Sequence, residues 1–196
     1  MRRYWCEYST TINLAAEPEP SGICPAGSAV SGLDDGVPWV LGRLGGMAIT
    51  MRPVVAGDAA RIAVLLDQLG YPTDAAQVRT RLDDWLADRR SVLIAAEADG
   101  LVSGVAALHV MPLLEHDGRR GRLVALVVDD ACRGQGLGRM LVAEVEQEAR
   151  RLGCRDLEVT SSRTRHAAQS FYRGLGYEDV CDTAARFMKA LDERSE

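Results

Sequence analysis

Residues 121 to 152, GRLVALVVDDACRGQGLGRMLVAEVEQEARRL, leave the chain few folds to choose from. Leu123 to Val128 is a short apolar run rich in Val and Leu, the pattern of a buried strand. Asp129 and Asp130 end it. Arg133-Gly134-Gln135-Gly136-Leu137-Gly138 follows, and then a helical period. Leu137, Met140, Leu141, Val145, Ala149 and Leu152 share one helix face, with Glu144, Glu146, Glu148 and Arg150 elsewhere. Gly153 supplies a stop. Strand, glycine loop and helix in that order suit an anion. The first helical turn has backbone N–H groups without intrahelical partners, the helix dipole is positive there, and glycines let a phosphate come close. Arg133 and Arg139 add charge on either side.

Two common phosphate sites do not fit. A P-loop ends in Gly-Lys-Ser/Thr, whereas Gly138 is followed by Arg139-Met140. A dinucleotide fingerprint reads G-x-G-x-x-G, whereas glycines 134, 136 and 138 read G-x-G-x-G. Glu158 lies at about the right distance for a ribose-binding acid but falls inside a strand pattern. A helix start that uses glycine only for tight packing remains the plain structural alternative.

The segment Arg133-x-x-Gly136-x-Gly138 after an apolar strand resembles the acyl-CoA signature of the GNAT N-acetyltransferase superfamily. A second block, Arg165-His166-Ala167-Ala168-Gln169-Ser170-Phe171-Tyr172-Arg173-Gly174-Leu175-Gly176-Tyr177, resembles that family's later segment, N/R-x-x-A-x-x-x-Y-x-x-x-G-F/Y. The resemblance covers about residues 47 to 190. It implies an α/β fold with a mixed, mostly antiparallel sheet flanked by helices, in which the fourth and fifth strands splay apart. It implies that acetyl-CoA is the acyl donor. Its pantetheine arm would lie in the splay along Leu126, Val127 and Val128. Its pyrophosphate would sit on the backbone of Arg133, Gly134, Gln135, Gly136, Leu137, Gly138 and Arg139. The oxyanion donor would be a backbone N–H near Val127 or Val128. Tyr172 falls on the family's tyrosine and is the candidate acid for the leaving thiolate. A phenol's ordinary pKa of about 10 keeps it protonated at neutral pH. Ala168, Phe171, Tyr172 and Leu175 also form one apolar face, so a purely packed tyrosine is the alternative. Arg165 stands where many members have Asn. It is read either as a phosphate contact or as a solvated helix-start residue.

A general base is not marked in the sequence. Glu115 and His116 precede the central strand and are the nearest candidates, though both read more readily as ordinary loop residues, and water could carry the proton. His109, on an apolar strand, reads as a satisfied core histidine. Cys132 has no histidine close in sequence, which disfavours a covalent acyl-cysteine route and favours direct transfer through a ternary complex. The acceptor is an amine of a small molecule or a protein. A non-catalytic acyl-CoA sensor on the same fold is the alternative function, and a homodimer is left open by the resemblance.

With 196 residues the chain is long enough for one well-cored domain. Its net charge of -5 argues against a general nucleic-acid or membrane-surface binder. The five cysteines are scattered, with no C-x-x-C, and read as reduced thiols of a cytoplasmic protein. The three histidines form no metal spacing with them, so no metal is expected. No stretch is long and apolar enough to span a membrane.

Residues 1–46 are rich in Gly, Pro and Ser and lack any period, so they read as a poorly structured extension before a domain over 47–196. One reading makes the extension an artefact of start-site choice. The other makes it a tail that packs through Trp39, Val40 and Leu41. A peptide upstream of Met47 in the native protein would exclude the first. Strands are expected over 49–55, 92–96, 101–111, 123–128 and 155–161, with a final pair over 177–181 and 185–191. Asp99-Gly100 marks a hairpin. Helices are expected after Asp58, over about 74–89 and over about 165–175.

Overall fold

In a computed structural model of the chain, residues 40–44 and 46–181 are described. Six strands, β1 (Val40–Leu44), β2 (Met47–Pro53), β3 (Ser91–Ala98), β4 (Leu101–Pro112), β5 (Arg119–Val128) and β6 (Cys154–Val159), form one sheet in sequence order. Neighbours are antiparallel except β5 and β6, which are parallel. That exception follows from the connection. A single helix crosses between β5 and β6, whereas short loops join β1 to β2, β3 to β4 and β4 to β5, and a two-helix segment leads from β2 to β3. The predicted fourth and fifth strands are β5 and β6.

Four helices cover the sheet: α1 (Ala59–Gln68), α2 (Ala75–Ala87), α3 (Leu137–Arg151) and α4 (His166–Arg173). The α2 start is capped by Asp74, whose side chain accepts the Gln77 N–H at 2.8 Å. One face of the sheet packs Leu126, Val128, Leu108 and Ile94 against Leu137, Leu141 and Val145 of α3 and Ala168 and Tyr172 of α4. The other face packs Ala95, Val102, Val105 and Val127 against Ile62 and Leu65 of α1 and Val78 and Leu82 of α2. Alternation along each strand divides its side chains between the two layers.

Three boundaries differ from expectation. Val40–Leu44, assigned from composition to the extension, pairs antiparallel with β2 in the register Leu44↔Met47. The rest of the extension lies outside the described residues. β5 begins at Arg119 rather than Leu123. The charged stretch joins the sheet because Arg120 and Arg122 meet Asp156 and Glu158 of β6 at 2.6 and 2.9 Å. Residues 177–181 form no strand. Asp179 bonds the Cys181 N–H and pairs with Arg163 and Arg173, which makes a turn instead. The expected strand 185–191 lies outside the described residues. Among the described residues no helix is long and apolar enough to cross a membrane.

Candidate active site

The site starts where β5 and β6 part. Their pairing runs from Arg119↔Cys154 to Leu123↔Val159 and stops, while β5 continues to Val128 beside β4 alone. A bulge triggers the divergence. Ala107 pairs with Ala125 and Leu108 with Leu123, so Val124 is an extra residue in β5 that bends the strand. Beyond it the register decides which backbone groups face the gap. The Asp129 N–H donates to Ser103 O at 2.8 Å, so Asp129, and by alternation Val127, point their backbone groups at β4. Leu126 and Val128 therefore turn theirs toward the fork. Val127, expected along with them, commits its backbone to β4 and its side chain to the opposite layer.

A short 3-10 turn, residues 130–132, then leads to the glycine loop. The Asp129 carboxylate anchors this passage. It accepts the Ala131 N–H at 2.9 Å, bonds Gln68 at 3.3 Å and pairs with Arg61, whose Nε also donates to Val102 O at 2.7 Å. Burial would raise its pKa, but the Ala131 N–H and the Arg61 guanidinium outweigh that and hold it low. This brace between α1 and the end of β5 was missed from sequence, where Asp129 reads only as a strand stop.

Gly134 and Gly136 take φ of 72° and 87°, the left-handed region that glycine reaches without strain. Gly136 is the residue before α3 and no side chain caps that helix. The first helical bond runs from the Met140 N–H to Gly136 O. The N–H groups of Leu137, Gly138 and Arg139 thus lie ahead of the intrahelical ladder, at the positive end of a 15-residue helix. Arg139 and Gln135 are exposed beside them. Arg133 turns back under the loop: Nε donates to Val128 O at 3.2 Å and the guanidinium pairs with Asp130. Its place in the structure is to tie the loop to the fork.

Tyr172 of α4 joins the same core cluster as Leu126, Val128 and Leu137. It is only 5% exposed, and its ring lies edge-on to Phe171 and Tyr177 with centroids 5.3 Å away in each case. Its hydroxyl is buried and has no hydrogen-bond partner among the described residues. Burial, with Tyr177 adding to it, pushes the phenol well above its ordinary pKa, so it stays protonated. A buried hydroxyl left unbonded beside a parted strand pair suits a ligand that enters there. Arg165 precedes α4; its carbonyl accepts the Gln169 N–H at 3.2 Å.

The two loop candidates for a base sit elsewhere. Glu115 and His116 are at the hairpin before β5, and seven residues of strand separate Arg119 from Leu126, more than about 20 Å. His109, expected in the core, is 36% exposed on the sheet face opposite α3. Cys132 packs against the apolar core.

Comparison with known proteins points to one family. The sequence model of the acetyltransferase (GNAT) family matches residues 61–177. An aminoglycoside N(6')-acetyltransferase of Stenotrophomonas maltophilia is 33% identical over 68% of this chain and 88% of its own length. An aminoalkylphosphonate N-acetyltransferase of Salmonella typhimurium is 37% identical over 47% of this chain, a match that spans only 58% of that protein. Among solved structures, the aminoglycoside N-acetyltransferase AAC(6')-Iy in complex with CoA superposes with a TM-score of 0.65, at 19% identity, over 75% of this chain and 97% of that one. A GNAT family acetyltransferase of Staphylococcus aureus gives 0.61 at 24% identity, over 73% and 98%.

Proposed function

Because the chain belongs to the GNAT acetyltransferase family, we propose that it moves an acetyl group directly from acetyl-CoA to the amine of a small molecule, through a ternary complex. The observation that carries this reading is the fork itself. Outward-facing backbone groups of Leu126 and Val128 lie in one cluster with the unbonded Tyr172 hydroxyl.

The N–H groups at the start of α3, from Gly134 to Arg139, receive the pyrophosphate. Arg139 adds a cation at the rim, and Arg165 is assigned to a phosphate of the same ligand. The pantetheine arm follows Leu126 and Val128 as an added strand would, taking the edge that β6 gives up. Val127 supports this edge from behind through β4. Acetyl-CoA supplies a thioester carbonyl. A fork-facing N–H, that of Leu126 or Val128, is assigned to the carbonyl oxygen as negative charge grows on it. Tyr172 gives its proton to the departing sulfur. Cys132, half-buried against the core, has no base assigned to it, so no acyl-cysteine step is included.

The names of the relatives favour a small amine acceptor, of the aminoglycoside or aminoalkylphosphonate kind. The unpaired state of Cys132, Cys154 and Cys181 suits a cytoplasmic enzyme. Isothermal titration with acetyl-CoA, CoA and NADPH tests the donor site. Binding of the first two alone is expected; NADPH binding in their place would overturn it.

A further inference from the structure

From the polar ties around Asp129 we infer that helix α1 sets the shape of the glycine loop, with Arg61, Gln68 and Asp129 as positioning residues for the donor site. The identity of the donor rests on the acetyl-transfer reading above; the brace itself stands on its own contacts.

Arg61 and Gln68 are seven residues apart, two turns of helix, so they lie on one stripe of α1. Between and beside them Ile62, Leu65 and Leu69 fix the helix in the core layer opposite α3. Both polar side chains reach the end of β5. The Arg61 guanidinium pairs with Asp129, and its Nε donates to Val102 O of β4 at 2.7 Å. Gln68 uses both ends of its amide. Nε2 donates to Asp129 Oδ2 at 3.3 Å, and Oε1 accepts the Asp130 N–H at 3.1 Å. Asp129 Oδ1 accepts the Ala131 N–H at 2.9 Å, and Asp129 O accepts the Cys132 N–H, also at 2.9 Å. One nearly buried carboxylate thus gathers α1, β4 and the 3-10 turn. The turn passes the constraint on: Gln135 Nε2 donates to Ala131 O at 3.1 Å, and Arg133 Nε to Val128 O at 3.2 Å.

The loop needs this support from its root. On its far side α3 is held by packing, since Leu137 and Leu141 are fully buried. The tip has no such contacts. Gly134 and Gln135 are exposed, and a Cβ built on Gly134 would meet nothing within 4 Å. Glycines at positive φ have wide conformational freedom, so order at the tip must come from its two ends. At the root the apolar contribution is half-buried Cys132, and the rest is the Asp129 network. Charge gives a second reason for the arginines. Asp129 and Asp130 precede a loop assigned to a pyrophosphate, and each is matched by a guanidinium, that of Arg61 or Arg133. A loop already ordered binds without a further loss of chain entropy.

Titration calorimetry with CoA and amide exchange by NMR on the ligand-free protein test this, using Gln68→Ala and Asp129→Asn. Both variants should bind CoA at least about tenfold more weakly than wild type. The KM for acetyl-CoA should rise while kcat at saturation changes little. In Gln68→Ala the amides of Cys132 and Met140, neither of which bonds Gln68, should exchange at least about fivefold faster. Val78→Ala separates positioning from stability. It thins the core layer under α1 without touching Asp129, so it should lower Tm and keep wild-type CoA affinity.

Unchanged CoA affinity in Gln68→Ala overturns the inference. So does a loss of affinity that Val78→Ala reproduces at equal loss of Tm, because the contacts would then serve stability alone. Gln68→Ala removes a half-buried amide and decides the matter even if Asp129→Asn does not fold. Should wild type bind neither CoA nor acetyl-CoA, the donor reading fails by itself. Exchange at Cys132 and Met140 then decides the brace, and rates in Gln68→Ala equal to those of wild type would refute it.

Discussion

Replacing Tyr172 by Phe should move stability and turnover in opposite directions. The ring keeps its edge-on contacts with Phe171 and Tyr177, since only the hydroxyl is lost. That hydroxyl is buried without a partner among the described residues. Leaving such a group unbonded costs about 1–3 kcal/mol, and its removal returns most of that. For a domain of this size a gain of about 1–2 kcal/mol raises Tm by roughly 2–8 °C. Catalysis should suffer. Loss of a positioned acid lowers turnover by about a hundredfold or more. Calorimetry without ligand and thiol release at saturating acetyl-CoA read the two effects separately. Burial holds the phenol well above its ordinary pKa, so no alkaline limb of the wild-type profile should belong to it. A variant that melts lower than wild type yet turns over normally would show that the hydroxyl is structural, and the assignment would be wrong.

Gly136→Glu should abolish acetyl-CoA binding in titration calorimetry. It places a carboxylate where the pyrophosphate is assigned and forces a side chain into φ of 87°, which costs about 1–2 kcal/mol; full affinity would refute the site. Gly104→Ala should destabilise by about 1–3 kcal/mol in urea, because its Cβ would lie 2.9 Å from Leu141 Cδ1 and 3.1 Å from Val127 O. Glu144 on α3 is pushed up in pKa by burial and by Glu148. A carboxyl whose folded pKa is raised contributes stability below its unfolded pKa, about 4.3, and loses it as pH rises through the folded value. Glu144→Gln should therefore stabilise at pH 7 and be neutral below about pH 4, as read by denaturation at both pH values.

The centre of this fold was readable because its signals are local. The Val-Leu run, the glycines and the spacing from Leu137 to Leu152 each act within a few residues, and all agree on strand, loop and helix. Asp99-Gly100 was readable for the same reason. Both residues take positive φ, which that pair tolerates. What escaped depends on distant partners. Arg119 to Arg122 looks like a solvated loop until Asp156 and Glu158 arrive beside it. The strand Val40–Leu44 was hidden by the Gly- and Pro-rich composition around it, although Gly45-Gly46 is itself a hairpin signal. His109 looked like core because its strand is apolar. Its polar contacts come from Ser91 and Asp88, 18 and 21 residues earlier in the chain. Glu115 and His116 are close in sequence to the central strand but lie at the end of it away from the fork. Within the candidate site the glycine loop and Tyr172 stand out in the sequence through local motifs. Which of Leu126, Val127 and Val128 face the fork required the register.

The most direct test is to incubate the protein with acetyl-CoA and a panel of small amines, measuring free-thiol release and the mass of the acceptor together. The account predicts thiol release that depends on the amine and is matched mole for mole by an acceptor heavier by one acetyl group. Tight acetyl-CoA binding with no acetylated amine anywhere in the panel would contradict it.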